Sequence, residues 1–528
     1  MPEKSLYKKP ELTAKKDKQK VMEKMLDSFA KKIEKEPDLK FLQDFFKEFS
    51  ESNIYLVGGM VRDAALGIKK MAKDFDFVVN KIDLDSLTKF LETKGKVDLV
   101  GRNFGVLKFM PKNSELEEPI DIALPRTEFS TGAGGGYKDF AVQSDPNLKI
   151  EEDLSRRDLT INALALDLKN KKIIDPYGGL QNLANGEIKA VLKPEDRFKE
   201  DYSRMLRALR FATKFDFTIE KNTWQAITDL APKINQTRKN KDNKTERIVP
   251  TETIAKEFLK SLSTQPVKTI ELYDQAGFLQ QLMPELLELK NCEQPKEFHS
   301  EGDAWQHTLL CLKNLQSPEF KKQFNTQPPL EVIVALLFHD IDKPQTKVYN
   351  TEKKRFTFPG HEKSSAILAG QIANRLTFAS YNGLIDYDDL KWLIVNHMIS
   401  KAAKPKEIKA TKLEKLFFAN PQLGEKLLML CYADDISCLT PKGPNLEGYK
   451  ILKKRLTELK ELSKTKKNLP TPLIDGFGII TEFELKPGPK IGKLLNLVRE
   501  AQLNGEITSK EEALDLIRKN FTKYENNN

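Results

Sequence analysis

Cysteine is scarce in this chain: four residues in 528, Cys292, Cys311, Cys431 and Cys438, with no CxxC pair among them. That pattern argues against a disulfide framework or a zinc ribbon and predicts buried thiols. Nowhere does an apolar run approach the roughly 20 residues that a membrane-spanning helix needs, so a soluble protein with no membrane partner is expected. The opening stretch MPEKSLYKKPELTAKKDKQK lacks the apolar centre of a signal peptide. Its Lys is mixed with Glu and Asp, unlike an Arg-rich, acid-poor transit sequence, so a cytoplasmic location is expected. No internal repeat is evident. An excess of one charge sign is nearly absent too: 87 Lys plus Arg against 77 Asp plus Glu leaves +10. Such a balance gives a mild attraction to polyanions such as RNA, and solvated Lys-rich helix faces account for it equally well.

What is present is length and a change of pattern along it. A chain of 528 residues exceeds what one hydrophobic core usually serves and predicts several domains. Residues 1–50 are Lys-rich, with Val21, Met25, Leu26, Phe29 and Ile33 at helical spacing. Residues 51–195 turn to short apolar runs with glycines, IYLVGG, FDFVVN and VLKFM, which predict a small mixed α/β unit. From 196 onward the period is helical: a neck over 196–290, a block over 291–445 that holds every histidine, and a C-terminal tail over 446–528. The fold class expected is therefore α+β. The Gly-rich stretch RTEFSTGAGGGYKDF at 126–140 reads as a mobile loop, and QTRKNKDNKTER at 236–247 as an exposed break before the second unit.

Two features of the α/β unit carry chemistry. Asp74 and Asp76 flank Phe75, and strand alternation points both carboxylates to one face and Phe75 to the core, which makes a metal-chelating pair. Upstream, Gly58 and Gly59 close a strand and open a helix, so bare amides approach phosphate while Arg62 supplies a fixed cation. Clustered carboxylates beside an anion-binding backbone are what nucleotidyl transfer with two Mg2+ ions requires. Taken alone, GG is a common turn and DFD a common surface strand.

Together, GGMVRDAALG and DFDFVV resemble the first signature of the class II tRNA nucleotidyltransferase and bacterial poly(A) polymerase family. The resemblance implies a polymerase β-like head, with Asp121, between Ile120 and Ile122, as the third catalytic carboxylate on a neighbouring strand. The segment EEDLSRRDLTINALALD, with DPYGG downstream, is similar to the family element that binds the sugar and phosphates of the incoming nucleotide. There Arg157 suits phosphate and Asp158 suits ribose hydroxyls, while Asn162 and Asp175 fit a role in capping local structure as well. A third element, DRFKEDYSRMLRALRFA, places Asp201 and Arg204 three residues apart on a helix and hence on one face. By the family's EDxxR pattern they would read the edge of C or A without a template, with Arg207 and Arg210 further along as nucleotide-binding candidates. Set alone, that helix also fits an ion-pair network on a solvated face.

The five histidines, His299, His307, His339, His361 and His397, all fall within one hundred-residue stretch. His307, His339-Asp340 and Asp434 stand in the order H…HD…D, which resembles the HD phosphohydrolase superfamily. This implies a divalent metal (Mn, Ni, Fe, Mg or Zn), with His361 and His397 available for a second position. Some bacterial members of the transferase family resemble this arrangement, with the HD domain acting on phosphorylated or cyclic 3′ ends.

For the whole chain the resemblance implies CCA addition to tRNA from CTP and ATP. Three alternatives stay open: poly(A) synthesis on other RNAs, partial CC or A addition, and an RNA-binding HD phosphohydrolase with a silent head. The C-terminal PGPKIG turn and the neck are the expected RNA contacts.

Overall fold

The computed structural model describes residues 15–68, 74–100, 105–130, 136, 140–239, 242–401, 408–462 and 469–521. It divides into two compact units: Met1–Pro284 with Leu376–Tyr381, and Glu285–Arg375 with Asn382–Asn528.

The first unit is built on a seven-stranded sheet. Its strands are β1 (Asn53–Val57), β2 (Asp76–Asn80), β3 (Gly95–Val100), β4 (Val106–Pro111) and β5 (Ile120–Ala123). A hairpin of β6 (Arg126–Ser130) and β7 (Phe140–Ser144) lies outside the sheet, which is completed by β8 (Ala165–Asp167) and β9 (Lys172–Ile174). The spatial order is β3-β4-β5-β2-β1-β8-β9. Only β2 and β5 run parallel; the other neighbours are antiparallel. The central strands are buried: Leu56, Phe77, Val79, Leu107, Phe109 and Ile122 are all at most 2% exposed. Two N-terminal helices, Lys15–Glu34 and Phe41–Glu48, bury Leu26, Phe29, Ile33 and Phe45, as their spacing predicts.

Two segments expected as irregular are ordered at their ends. In the 126–140 stretch, β6 pairs with β7 in antiparallel register, so its flanks form a hairpin; Thr131–Gly135 and Tyr137–Asp139 lie outside the described residues. In the 236–247 stretch, Thr237–Lys239 pairs with Thr245–Arg247, and Arg238 holds Glu246 at 2.8 Å. Alternating polar side chains suffice for a strand when cross-strand pairing supplies the energy. The first unit also runs on past this hairpin to Pro284, beyond the break expected from composition.

The second unit is helical. Its centre is Leu330–Phe338, in which every residue but Glu331 is buried. A helix apolar all round belongs inside a bundle. Ala304–Asn314 and Tyr387–Asn396 pack on it, and so does Pro421–Ser437. The C-terminal helices Gly476–Phe483, Pro489–Leu503 and Lys510–Asn520 share a separate small core around Ile479, Leu494 and Ile517. All four cysteines are free and buried. Among the described residues no helix is long and apolar enough to cross a membrane.

Candidate active site

The first unit carries a cleft of about 590 Å³. Its floor is set by strand register: Asp76 on β2 pairs with Asp121 on β5, and Asp121 in turn faces Lys108 on β4. These three side chains therefore form a row across adjacent strands on one face of the sheet. Lys108 Nζ lies 2.6 Å from Asp121 Oδ1. Asp74 departs from expectation. The strand begins at Asp76, so Asp74 stands just ahead of it, exposed, and does not line the cleft. Its charge is nonetheless felt at Asp76. Burial first, then Asp74 and Asp121, push the Asp76 pKa up to about 6, against the opposing pull of Arg157 and Lys108. Two cleft carboxylates that repel each other, with the charge of Asp74 just outside adding to the repulsion, fit a divalent cation, which would relieve it.

One wall is the turn after β1. Gly58 has φ +75°, a conformation an L side chain rarely adopts, and a Cβ there would meet Arg157 Nη1 at 3.0 Å. The glycine thus lets a guanidinium lie against bare backbone. Arg157 is held from behind by Asp153, a fully buried carboxylate that also takes Arg156 (3.0 Å) and the Arg126 amide (3.2 Å). Arg62, buried, donates to Asn162 Oδ1 at 2.6 Å and pairs with Asp63 at 2.7 Å. Asn162 passes the link on, its Nδ2 donating to Asp158 Oδ1 at 3.0 Å, while Arg207 Nε donates to Asp158 Oδ2 at 2.7 Å. Burial alone would raise the Asp158 pKa, but Arg207 and Asn162 outweigh it and hold the carboxyl well below the usual range. Asn162 is a buried bridge rather than a cap. Asp175 does cap: its oxygens accept from Gly179 N (2.6 Å) and Leu180 N (2.9 Å).

The opposite wall comes from the neck, where the structure corrects a second expectation. Asp201 and Arg204 do not share one helix. Pro194–Glu200 ends before Asp201, which is extended (φ −148°), and a new helix runs from Ser203 to Phe215. The Asp201 carboxylate accepts from Ser203 N at 2.8 Å, starting that helix, and Arg204 Nη1 donates to Glu200 Oε2 at 2.7 Å. A carboxylate free to accept a backbone amide favours the turn over continued helix. Both residues still line the cleft, as do Arg207 and Arg210. Arg210 pairs with Glu257 of the helix Thr251–Thr264 and stacks over Phe211 at 4.2 Å. Sequence reasoning missed Lys108, Asp153, Arg126, Arg156, Lys214 and Glu257. For Lys108 a signal existed, since alternation in VLKFM puts it opposite the buried Leu107 and Phe109.

The second unit gathers the histidines. His307 Nε2 is 3.1 Å from Asp434 Oδ1, His339 Nε2 is 3.2 Å from Asp340 Oδ2, and His361 Nε2 is 3.3 Å from Asp340 Oδ1. His397 Nε2 stands 3.9 Å from that same oxygen. The other ring nitrogen of each is tied outward: His339 to Leu336 O (2.8 Å), His361 to Phe358 O (2.8 Å), His397 to Ile394 O (2.6 Å) and His307 to Glu301 (2.8 Å). A ring whose Nδ1–H is spent on a carbonyl presents its Nε2 lone pair inward. The Nε2 atoms of His339, His361 and His397 are buried with no hydrogen-bond partner. Burial, and then His339, push the His397 pKa down to about 3, so it is neutral, as a ligand must be. Two ammonium groups unforeseen from sequence contact the cluster: Lys343 Nζ at 2.6 Å from Asp340 Oδ2, and Lys401 Nζ at 2.6 Å from Asp434 Oδ2. Beside it opens a cavity of about 420 Å³ lined by Phe298, Arg355, Phe356, Phe358, Lys343 and Lys401.

Residues 54–189 match the family described as the Poly A polymerase head domain. The multifunctional CCA protein of Acidovorax sp. (strain JS42) is 34% identical over 328 residues, 61% of this chain and 68% of that protein. That of Shewanella denitrificans is 32% identical over 392 residues, 72% of this chain and 83% of the relative. The chain belongs to the CCA-adding enzyme family. Among solved structures, the Bacillus stearothermophilus CCA-adding enzyme in complex with CTP aligns with TM-score 0.58 at 20% identity, covering 93% of this chain and all of that one (100%). The Thermotoga maritima CCA-adding enzyme complexed with tRNA_CCA gives TM-score 0.54 at 21% identity, covering 91% and 94%. At these identities the likeness is one of fold, a polymerase head followed by helical regions. Membership in the CCA-adding enzyme family also implies dependence on a divalent metal, which the carboxylate row fits.

Proposed function

We propose that the chain adds C, C and A, drawn from CTP and ATP, to the 3′ end of tRNA. The observation that carries this reading is the single cleft that brings Asp76, Asp121, Gly58, Arg157, Asp158, Asp201 and Arg204 together. Asp76 and Asp121, with Asp74 at the rim, would hold Mg2+. Bound there, Mg2+ would lower the pKa of the tRNA 3′-hydroxyl and neutralise the triphosphate. Arg157, lying against the Gly58 backbone, binds phosphate, and Arg62 braces the same wall through Asn162. Asp158, kept ionised by Arg207, accepts from ribose hydroxyls. Asp201 accepts from the exocyclic amine of C or A and Arg204 donates to the ring, a pattern G and U do not match. The neck and the C-terminal tail grip folded RNA. All four cysteines are unpaired thiols, which agrees with a cytoplasmic site of action.

The test is incubation of the full chain with CTP, ATP and tRNAs ending before, within and after CCA. Products that stop at CCA support the reading. Long A tails on arbitrary RNA, or arrest after CC, would overturn it.

A second activity is favoured by the inward Nε2 atoms of the histidine cluster. His307, His339, Asp340 and Asp434, with His361 and His397 at a neighbouring position, would hold one or two divalent ions for phosphohydrolysis at RNA 3′ ends. Equal phosphatase activity in wild type and His339→Ala would remove this reading.

A further inference from the structure

The histidine cluster contains two thiols that an H…HD…D site does not use. His307 and Cys311 stand four residues apart on the helix Ala304–Asn314, so they leave the same face. Asp434 and Cys438 repeat that spacing at the end of Pro421–Ser437, where Cys438 is the C-cap. The two faces meet. Cys311 Sγ is 3.5 Å from His307 Nε2, and that nitrogen is 3.1 Å from Asp434 Oδ1. His339 Nε2 lies 3.8 Å from the same oxygen. Cys438 Sγ donates to it as well, at 3.6 Å.

These spacings are close to those of a coordination shell. A tetrahedral ion with metal–nitrogen and metal–oxygen bonds of about 2.0–2.1 Å and a metal–sulfur bond of about 2.3 Å holds its ligand atoms roughly 3.3–3.8 Å apart. The ligand atoms of His307, Cys311, His339 and Asp434 all lie within 4.8 Å of one another, and all four residues are buried.

We infer that Cys311 is a further metal ligand of this site, beside His307, His339, Asp340 and Asp434, which therefore takes a thiophilic divalent ion such as Zn2+. The inference rests on reading the cluster as a metal site. Mg2+ prefers six oxygens and disfavours sulfur, so the thiol changes which ion the site accepts. Lys401, whose ammonium donates to Asp434 Oδ1 at 2.7 Å, is the cation the ion displaces. The displaced ammonium already lines the adjoining cavity.

The experiment strips the full chain of metal and titrates it with Co2+, following the visible d–d bands and the near-ultraviolet sulfur-to-cobalt charge-transfer band. Wild type should show both, excess Mg2+ should displace neither, and Cys311→Ser should lose the charge-transfer band while keeping d–d absorption. Absence of d–d bands in wild type would sink the metal-site reading itself. With d–d bands present, a missing charge-transfer band in wild type would sink this inference alone. So would a band that survives Cys311→Ser, or one lost only in Cys438→Ser. The wild-type spectrum decides even if the serine variant does not fold.

Discussion

Asp158 gives one carboxylate oxygen to Arg207 at 2.7 Å and the other to Asn162 at 3.0 Å, so a residue following the short head helix Ile150–Ser155 is locked to the neck helix that carries Arg204. Phosphate side and base side of the cleft are thereby fixed to each other within one unit.

Breaking that lock should cost stability as well as activity. Asp158→Ala leaves Arg207 and Asn162 without their partner, and the expected loss is about 3 kcal/mol in urea denaturation, in the lower part of the range for removing one member of a buried ion pair. Nucleotide addition should fall together with it.

Removing a carboxylate from the floor should do the reverse to stability. The Asp76 pKa is raised from 3.8 to about 6, so the metal-free native state holds that proton more tightly than the unfolded chain does. Its contribution therefore turns unfavourable as pH rises through roughly 4 to 6 and stays so above. In metal-free protein Asp76→Asn should stabilise the fold at pH 7.5 by on the order of 1 kcal/mol after discounting for solvent screening, read as a higher melting temperature, and confer no gain below pH ~4. Nucleotide addition by the same variant should drop at least about a hundredfold.

Base choice should loosen at the neck. Arg204→Ala should let G or U compete, reducing discrimination by about 1–3 kcal/mol, read as relative incorporation of the four nucleotides. Asp201→Asn should do likewise, while the start of the helix Ser203–Phe215 should hold, since an amide oxygen still accepts from Ser203 N.

Asp175→Ala is the control. Its carboxylate only caps the helix Gly179–Asn185, so about 1 kcal/mol of stability should go, with addition to tRNA intact. Loss of addition in this variant would mean that Asp175 reaches the nucleotide.

Much of the site was legible because its parts sit on short contiguous motifs: Gly58 to Arg62, Asp74 to Asp76, Arg157 to Asn162, Asp201 to Arg210. What sequence could not supply was register and breaks. That Asp121 pairs with Asp76 follows from a parallel pairing across some forty residues of chain, and the resemblance, not periodicity, pointed to it. That the neck helix restarts at Ser203 depends on which acceptor the Asp201 carboxylate captures, a local competition that spacing does not encode. Asp153 and Glu257 escaped notice because a buried acid that steers an arginine looks, in sequence, like any surface acid. The histidine cluster was legible as a set, whereas the Lys343 and Lys401 contacts and the two thiols depend on which helix faces meet.

The Asp76–Asp121 pairing has a consequence for how the chain is made. In a strand, a slip of one residue exchanges the two faces. If β5 paired with β2 one step out, Asp121 would turn inward and Ile120 or Ile122 would take its place on the cleft floor. Such a product would keep much of its secondary structure and lack a complete metal-binding row. Assembly accuracy in the head is thus a determinant of specific activity. A preparation refolded from denaturant should be judged by its fraction of competent molecules, counted by active-site titration, rather than by its circular dichroism.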